Sequence, residues 1–166
     1  MVTLNEGVDK RFIELLVHHS FPFKKALDIG CGTGNYLAFL ESKSFVVNGI
    51  DSNPTNIEMT QKIATKSSNI VQADMYEFEY PQNVYNLILS VSTLHHGIKK
   101  QVKFAIRKVY ESLVPDGKIF ITLPNLDASK TLETYSSKTG PEAGIPHSFS
   151  PNKKSEICSH NVKTFP

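Results

Sequence analysis

The sequence predicts an α/β domain built on a doubly wound, mainly parallel sheet. Three observations carry that prediction. Short apolar runs alternate with amphipathic stretches over residues 25–123, which is the pattern of βαβ units with right-handed crossovers. The first run turns through glycines into a helix-like stretch, A-L-D-I-G-C-G-T-G at residues 26–34. With no Cβ in the way, such a loop lets a flat ligand approach the backbone. An acid also stands within or just past each of the first three runs, as Asp28, Asp51 and Asp74.

Taken in order, Val8, Phe12, Leu15, Leu16 and His19 form one face of a helix that ends near Phe21-Pro22-Phe23. Residues 25–29 form the first strand and residues 35–43 the first crossover helix, with Leu37 and Leu40 inward. Residues 44–50 form the second strand, ending at Asp51. Asn53-Pro54 starts the next helix, a cap residue followed by proline at the first helical position. Ile57 and Ala64 suit its inner face.

Residues 69–73 form a short third strand ending at Asp74. Residues 84–91, V-Y-N-L-I-L-S-V, are the least polar run and are expected at the sheet centre. Val102, Ile106, Val109, Tyr110 and Leu113 mark another amphipathic helix. Pro115-Asp116-Gly117 reads as a turn, and residues 118–123 as the fifth strand. Past Pro124 the pattern dissolves. Residues 131–138 read as helical, 139–151 as a loop, 151–158 as one short helix and 162–165 as one short strand.

The chain has 166 residues, enough for one domain with a core. A formal charge of +2 gives no nucleic-acid signal. No apolar run approaches a membrane span, and no signal peptide is visible, so a cytoplasmic protein is expected. The two cysteines, Cys31 and Cys158, read as free thiols of a reducing compartment. Cys31 has a second reading as a reactive thiol. Its simpler role is that of a small residue fitting a tight turn.

The glycine spacing separates two ligand classes. The dinucleotide fingerprint G-x-G-x-x-G would place its third glycine at position 35, which is Asn35. Here the glycines are Gly30, Gly32 and Gly34, with Asp28 two residues upstream. This G-x-G-x-G loop resembles motif I of the class I S-adenosylmethionine-dependent methyltransferases. The resemblance covers residues 25–124, inside a single expected domain of residues 1–166. It implies a Rossmann-like fold whose ligand sits at the carboxyl ends of the strands, and residues 125–166 as a substrate cap with a shortened end.

The resemblance also implies roles. Gly30, Cys31, Gly32 and Gly34 would offer backbone contacts to the methionine part of S-adenosylmethionine, and Asp28 would help hold its ammonium. Asp51 would bind both ribose hydroxyls, since a carboxylate has two acceptor oxygens for two neighbouring donors. Ser52 and Asn53 would border the adenosine. Asp74 would accept from the adenine amino group, and Met75, with its polarizable thioether, would cover the ring. Ser90 and Val91 lie at the end of the fourth strand, again on the cofactor side. His95 and His96 follow, where the family's methyl group and acceptor meet, and a histidine there could take a proton from the acceptor. No third ligand at a familiar spacing makes them a metal site.

Two departures stand against the family pattern. The fourth strand often opens with an aromatic residue and aspartate, and here it opens with Tyr85-Asn86. The family's sheet usually closes with an antiparallel strand pair, for which this chain has room for one strand. Pro146-His147-Ser148-Phe149 resembles a segment that precedes the terminal hairpin in small-molecule members, so the end reads either as a natural minimal form or as a truncation. An uncovered sheet edge invites a partner or a second copy in a homodimer. The expected activity is methyl transfer to a small-molecule acceptor. The rivals are a non-catalytic S-adenosylmethionine-binding or partner protein and, against the loop spacing, a nicotinamide oxidoreductase.

Overall fold

A computed structural model describes residues 7–123 and three short strands beyond them. The expected acceptor cover after Pro124, the strand at 162–165 and the side chain of Cys158 lie outside the described residues. In chain order the elements are α1 (Lys10–His18), β1 (Lys25–Ile29), α2 (Asn35–Ser42), β2 (Val46–Asp51), α3 (Pro54–Ile63) and β3 (Asn69–Gln72). There follow β4 (Tyr85–Val91), α4 (Lys99–Glu111), β5 (Leu113–Thr122), β6 (Tyr135–Ser136), β7 (Pro146–His147) and β8 (Ile157–Cys158).

The main sheet has the order β3-β2-β1-β4-β5-β8. Its first five strands are parallel, and β8 joins β5 antiparallel through Ile119 with Cys158 and Phe120 with Ile157. The doubly wound prediction therefore holds. The chain winds outward from β1 to β3, then returns to place β4 on the other side of β1. That reversal opens a crevice at the carboxyl ends of β1 and β4, where ligands of open α/β sheets bind.

Strand alternation divides the core between two faces. Ala26, Val47, Leu87, Leu89 and Phe120 pack with Phe12 and Leu15 of α1 and Leu37, Phe39 and Leu40 of α2. Leu27, Ile29, Ile50, Ile88 and Ile119 pack with Ala105 and Val109 of α4. Both faces are covered, which is why the inner strands read as continuous apolar runs. The helix starts follow the sequence signals. Asn53 Oδ1 accepts from Thr55 N at 2.9 Å at the start of α3, and Asp9 caps α1 through Arg11 N. Asn86, the departure from the family pattern, is buried, and its Oδ1 accepts from Lys25 N at 3.4 Å, so the acceptor it retains is used.

Three expectations are corrected. The turn at Pro115-Asp116-Gly117 lies inside β5, which begins at Leu113 rather than at Lys118. Tyr85 pairs with Leu113 and Leu87 with Lys118, so the intervening residues bulge out of register, with Asp116 at φ 62°. The short helix expected over 151–158 ends instead in the strand Ile157–Cys158. The helix read at 131–138 and the loop read at 139–151 contain the two-stranded pair β6 and β7. Among the described residues no helix is long and apolar enough to cross a membrane.

Candidate functional site

The glycine loop takes a left-handed path, with φ of 73° at Gly30, 54° at Gly32 and 89° at Gly34. It is pinned from both sides. Gly30 N and Cys31 N donate to Ile50 O at 2.8 and 3.0 Å. Gly32 N donates to Asp51 Oδ2 at 2.9 Å. Thr60, fully buried on α3, donates its hydroxyl to Gly32 O at 2.7 Å. Asp51 Oδ1 in turn accepts from Asn53 N at 2.8 Å and Asn56 Nδ2 at 3.3 Å. One carboxylate thus ties the loop after β1 to the start of α3. A Cβ at Gly32 would meet nothing within 4 Å, so this part of the backbone faces open space.

Beside the loop lies a cleft of about 320 Å³ at the carboxyl edge of the sheet. Gly30, Ile50, Asp51 and Ser52 form one wall. Ala73, Asp74, Met75 and Tyr76, just past β3, form a second. Thr93 and His96, past β4, close the third. Asp74 is exposed, and its Oδ1 is fixed by Tyr76 N at 2.8 Å. Each wall thus sets polar side chains, Asp51 and Ser52, Asp74, and Thr93 and His96, beside the apolar Ile50, Ala73 and Met75, a mixture that suits a small-molecule site.

Asp28 is 3% exposed, and its Oδ2 has no hydrogen-bond partner among the described residues. Burial, aided by the negative charge of Asp51, pushes its carboxyl up to about 7. A buried carboxylate oxygen without a donor is costly, so this position calls for a positive or donating group. Cys31 is a buried free thiol. Burial and the charges of Asp28 and Asp51 push it up to about 12, which removes the thiolate that a reactive cysteine needs.

Six of the sequence-predicted residues meet in the cleft wall: Gly30, Asp51, Ser52, Asp74, Met75 and His96. Asp28, Cys31, Gly32, Gly34, Asn53, Ser90, Val91 and His95 stand outside that wall. The adjacent histidines are separated by the loop turn. His95 is 3% exposed and packed inward, whereas His96 borders the cleft, with ring centroids 4.1 Å apart. Sequence reasoning missed Thr60, Tyr76 and Thr93. Thr60 carried a usable signal, a hydroxyl three residues after Ile57 on the inner stripe of α3. Tyr76 and Thr93 act through contacts between loops far apart in sequence, and no local pattern marks them.

The family model described as a methyltransferase domain matches residues 26–117, more than half of the 166 residues. The chain belongs to the methyltransferase-domain family. The resemblance read from the glycine loop is thereby borne out. Phosphoethanolamine N-methyltransferase 3 of Arabidopsis thaliana is 35% identical to this methyltransferase domain over 119 residues, covering 68% of the chain and 23% of the plant protein. The chain thus spans about a quarter of the length of the plant relatives it matches. An S-adenosylmethionine-dependent methyltransferase from Methanosarcina mazei superposes with a TM-score of 0.64 at 16% identity, over 81% of this chain and 76% of that one. Phosphoethanolamine N-methyltransferase 2 of Haemonchus contortus, solved with S-adenosyl-L-methionine, superposes with a TM-score of 0.58 at 20% identity, over 69% of this chain and 28% of its own. These two structures speak for the shared fold.

Proposed function

We propose that the chain binds S-adenosylmethionine in the cleft beside the glycine loop and transfers its methyl group to a small-molecule acceptor. The carrying observation is the Asp51 bridge beside an open glycine backbone. A carboxylate offers about four lone-pair sites, and three donors use three of them here. Two ribose hydroxyls need two, so the long contact from Asn56 at 3.3 Å is the one that gives way. The rest of the site fits the group as well. The orphaned Asp28 Oδ2 suits an ammonium, the open face at Gly32 suits a chain lying along the loop, and Asp74 and Met75 suit the adenine edge and face.

The sulfonium supplies an activated methyl group. The chain's own residues then bind and align: the glycine loop and Asp51 fix the donor, and the acceptor is held in line with it, so orientation does most of the work. His96, the histidine on the cleft wall, takes a proton from an acceptor that arrives protonated. We read residues 1–166 as one domain with its core at 25–124, and the cytoplasm as its compartment, supported by the free thiol of Cys31. The plant relatives make phosphoethanolamine the first acceptor to try.

Titration calorimetry with S-adenosylhomocysteine, followed by a labelled-methyl screen over phosphorylated amines, other metabolites, protein and RNA, tests the proposal. No binding would overturn it. Binding without transfer to any acceptor would favour the non-catalytic reading. His96→Ala is expected to slow turnover by about a hundredfold, at the low end for a general base, with product affinity near wild type. Lowered affinity with intact turnover at saturation would remove His96 from the acceptor side.

The pH dependence follows from Asp28. Its ionised form attracts an ammonium, so binding releases a proton wherever the free protein holds one. Affinity for S-adenosylhomocysteine is expected to climb as pH rises through about 7, the carboxyl's own value. Asp28→Asn is expected to flatten that climb. Folding carries the opposite sign. The carboxyl binds its proton more tightly folded than unfolded, so its contribution to stability falls as pH rises from its ordinary 3.8 to about 7. A flat affinity profile for the wild-type protein between these limits would separate Asp28 from the ligand.

A further inference from the structure

Two walls of the cleft come from loops that are distant in sequence. One follows β3 and carries Asp74 and Met75. The other follows β4 and carries Thr93 and His96. The side chain of Tyr76 joins them directly. The phenol of Tyr76 donates to His96 O at 3.0 Å, with Leu94 O at 3.5 Å. Burial raises this phenol to about 12, so it keeps the proton it donates. The phenol end of the ring abuts Gly97, where an added Cβ would stand 2.7 Å from Tyr76 Cζ and nearer still to its oxygen. Glycine at 97 is what allows the two loops this close.

The first loop is held at both of its ends. Tyr76 N donates to Asp74 Oδ1 at 2.8 Å, and the phenol of Tyr80 donates to Met75 O at 2.8 Å. Phe78 packs edge-on against Tyr80 with centroids 5.0 Å apart. A shift of Asp74 or Met75 is therefore carried to Tyr76 through covalent neighbours with little slack. The second loop is short and tightly turned, with His96 N donating to Thr93 O and Gly97 N to His95 O, both at 3.0 Å. A carbonyl grip on His96 fixes the point from which its imidazole projects.

We propose that Tyr76 is a positioning residue that clips the His96 loop to the Asp74-Met75 loop, so that His96 is set by the wall that receives the adenine end of the ligand. The clip rests on the reading of the cleft as a cofactor site with His96 toward the acceptor. It adds to that reading a physical link between the two ends of the ligand. Tyr76 touches neither reacting group, and its effect runs through the backbone of His96.

The test uses the full chain and two phenol deletions. Tyr76→Phe keeps the ring against Gly97 and removes only the inter-loop hydrogen bond. Tyr80→Phe removes a hydrogen bond of the same kind within one loop. In the unliganded protein, Tyr76→Phe is expected to speed amide exchange of His96 and Gly97 by about tenfold, the worth of one hydrogen bond, while β4 and α4 stay at wild-type rates. Tyr80→Phe is expected to leave those two amides unchanged. Unchanged exchange in Tyr76→Phe, or equal acceleration in both variants, overturns the clip. With S-adenosylhomocysteine added, the His96 imidazole signals of the wild type are expected to shift. In Tyr76→Phe that shift is expected to be lost, although the product still binds within about threefold of wild type, since the bond removed joins two loops of the protein and the aromatic wall stays. The same His96 shift in both proteins overturns the clip. If the wild type binds no S-adenosylhomocysteine, the cofactor reading fails, and the exchange rates still decide on Tyr76.

Discussion

Replacing Gly30 by alanine is expected to cost more stability than any other single methyl group added to the loop. Gly30 sits at φ 73°, a conformation that costs an L-residue about 1–2 kcal/mol. Its added Cβ would lie 2.7 Å from Thr93 Cβ and closer still to both branches of that side chain. Thr93 is not free to turn away, because its hydroxyl donates to Val91 O at 3.0 Å. Overpacking of this kind costs a further 1–3 kcal/mol or so, and losing the hydroxyl bond costs about 1 kcal/mol. A total of about 3–6 kcal/mol would be a large part of the roughly 5–15 kcal/mol that holds a domain folded. The melting temperature is expected to fall by about 10 °C, given about 2–4 °C per kcal/mol at this chain length. Gly32→Ala is the matched control. Its φ is 54° and its Cβ would meet nothing within 4 Å, so it bears the backbone cost alone, about 1–2 kcal/mol. Thermal or urea unfolding of both variants checks the difference. Equal losses would mean that Thr93 yields and that Gly30 is needed only for its dihedral angle.

The same contrast explains what the sequence could and could not announce. The left-handed glycines were legible because only glycine tolerates that backbone cheaply, and the apolar run before them fixed the bounds of β1 to the residue. The partner that crowds Gly30 was not legible. Thr93 arrives from the end of β4, 63 positions away, and only the pairing of β1 with β4 brings it there. Asp51, Asp74 and Met75 could be placed because a parallel sheet collects its strand ends at one edge. The choice between His95 and His96 could not, since one residue of rotation in the loop decides which imidazole faces the cleft. Pro115-Asp116-Gly117 was misread for a related reason. A left-handed Asp116 and a glycine mark a reversal in most chains, but here the sheet continues on both sides and absorbs the extra residues as a bulge. The two-residue strands β6, β7 and β8 each span one period of alternation, too little to show a repeat.

Asp51→Ala is expected to produce the largest loss of cofactor affinity, about 1.5–3 kcal/mol, the range for hydrogen bonds to a charged group. Part of that loss is direct, through the ribose. Part is indirect, because the variant also releases Gly32 N and Asn53 N, which Asp51 holds at 2.9 and 2.8 Å. Stability should suffer less, since Asn53 still caps α3 through Thr55 N and Thr60 still holds Gly32 O. Asp51→Asn is not expected to rescue binding. Both carboxylate oxygens accept from backbone N–H groups, so an amide must turn its NH₂ toward one of them, donor against donor. A double-mutant cycle separates the direct part from the indirect. Calorimetry with 5′-methylthioadenosine and its 2′-deoxy analogue removes one ribose hydroxyl from the ligand side. In the wild type that removal is expected to weaken binding, and in Asp51→Ala it is expected to make little difference, leaving a coupling of about 1 kcal/mol or more for a charge-assisted hydrogen bond. If the missing hydroxyl costs both proteins equally, Asp51 serves only to tie the loop to α3, and the ribose is held elsewhere.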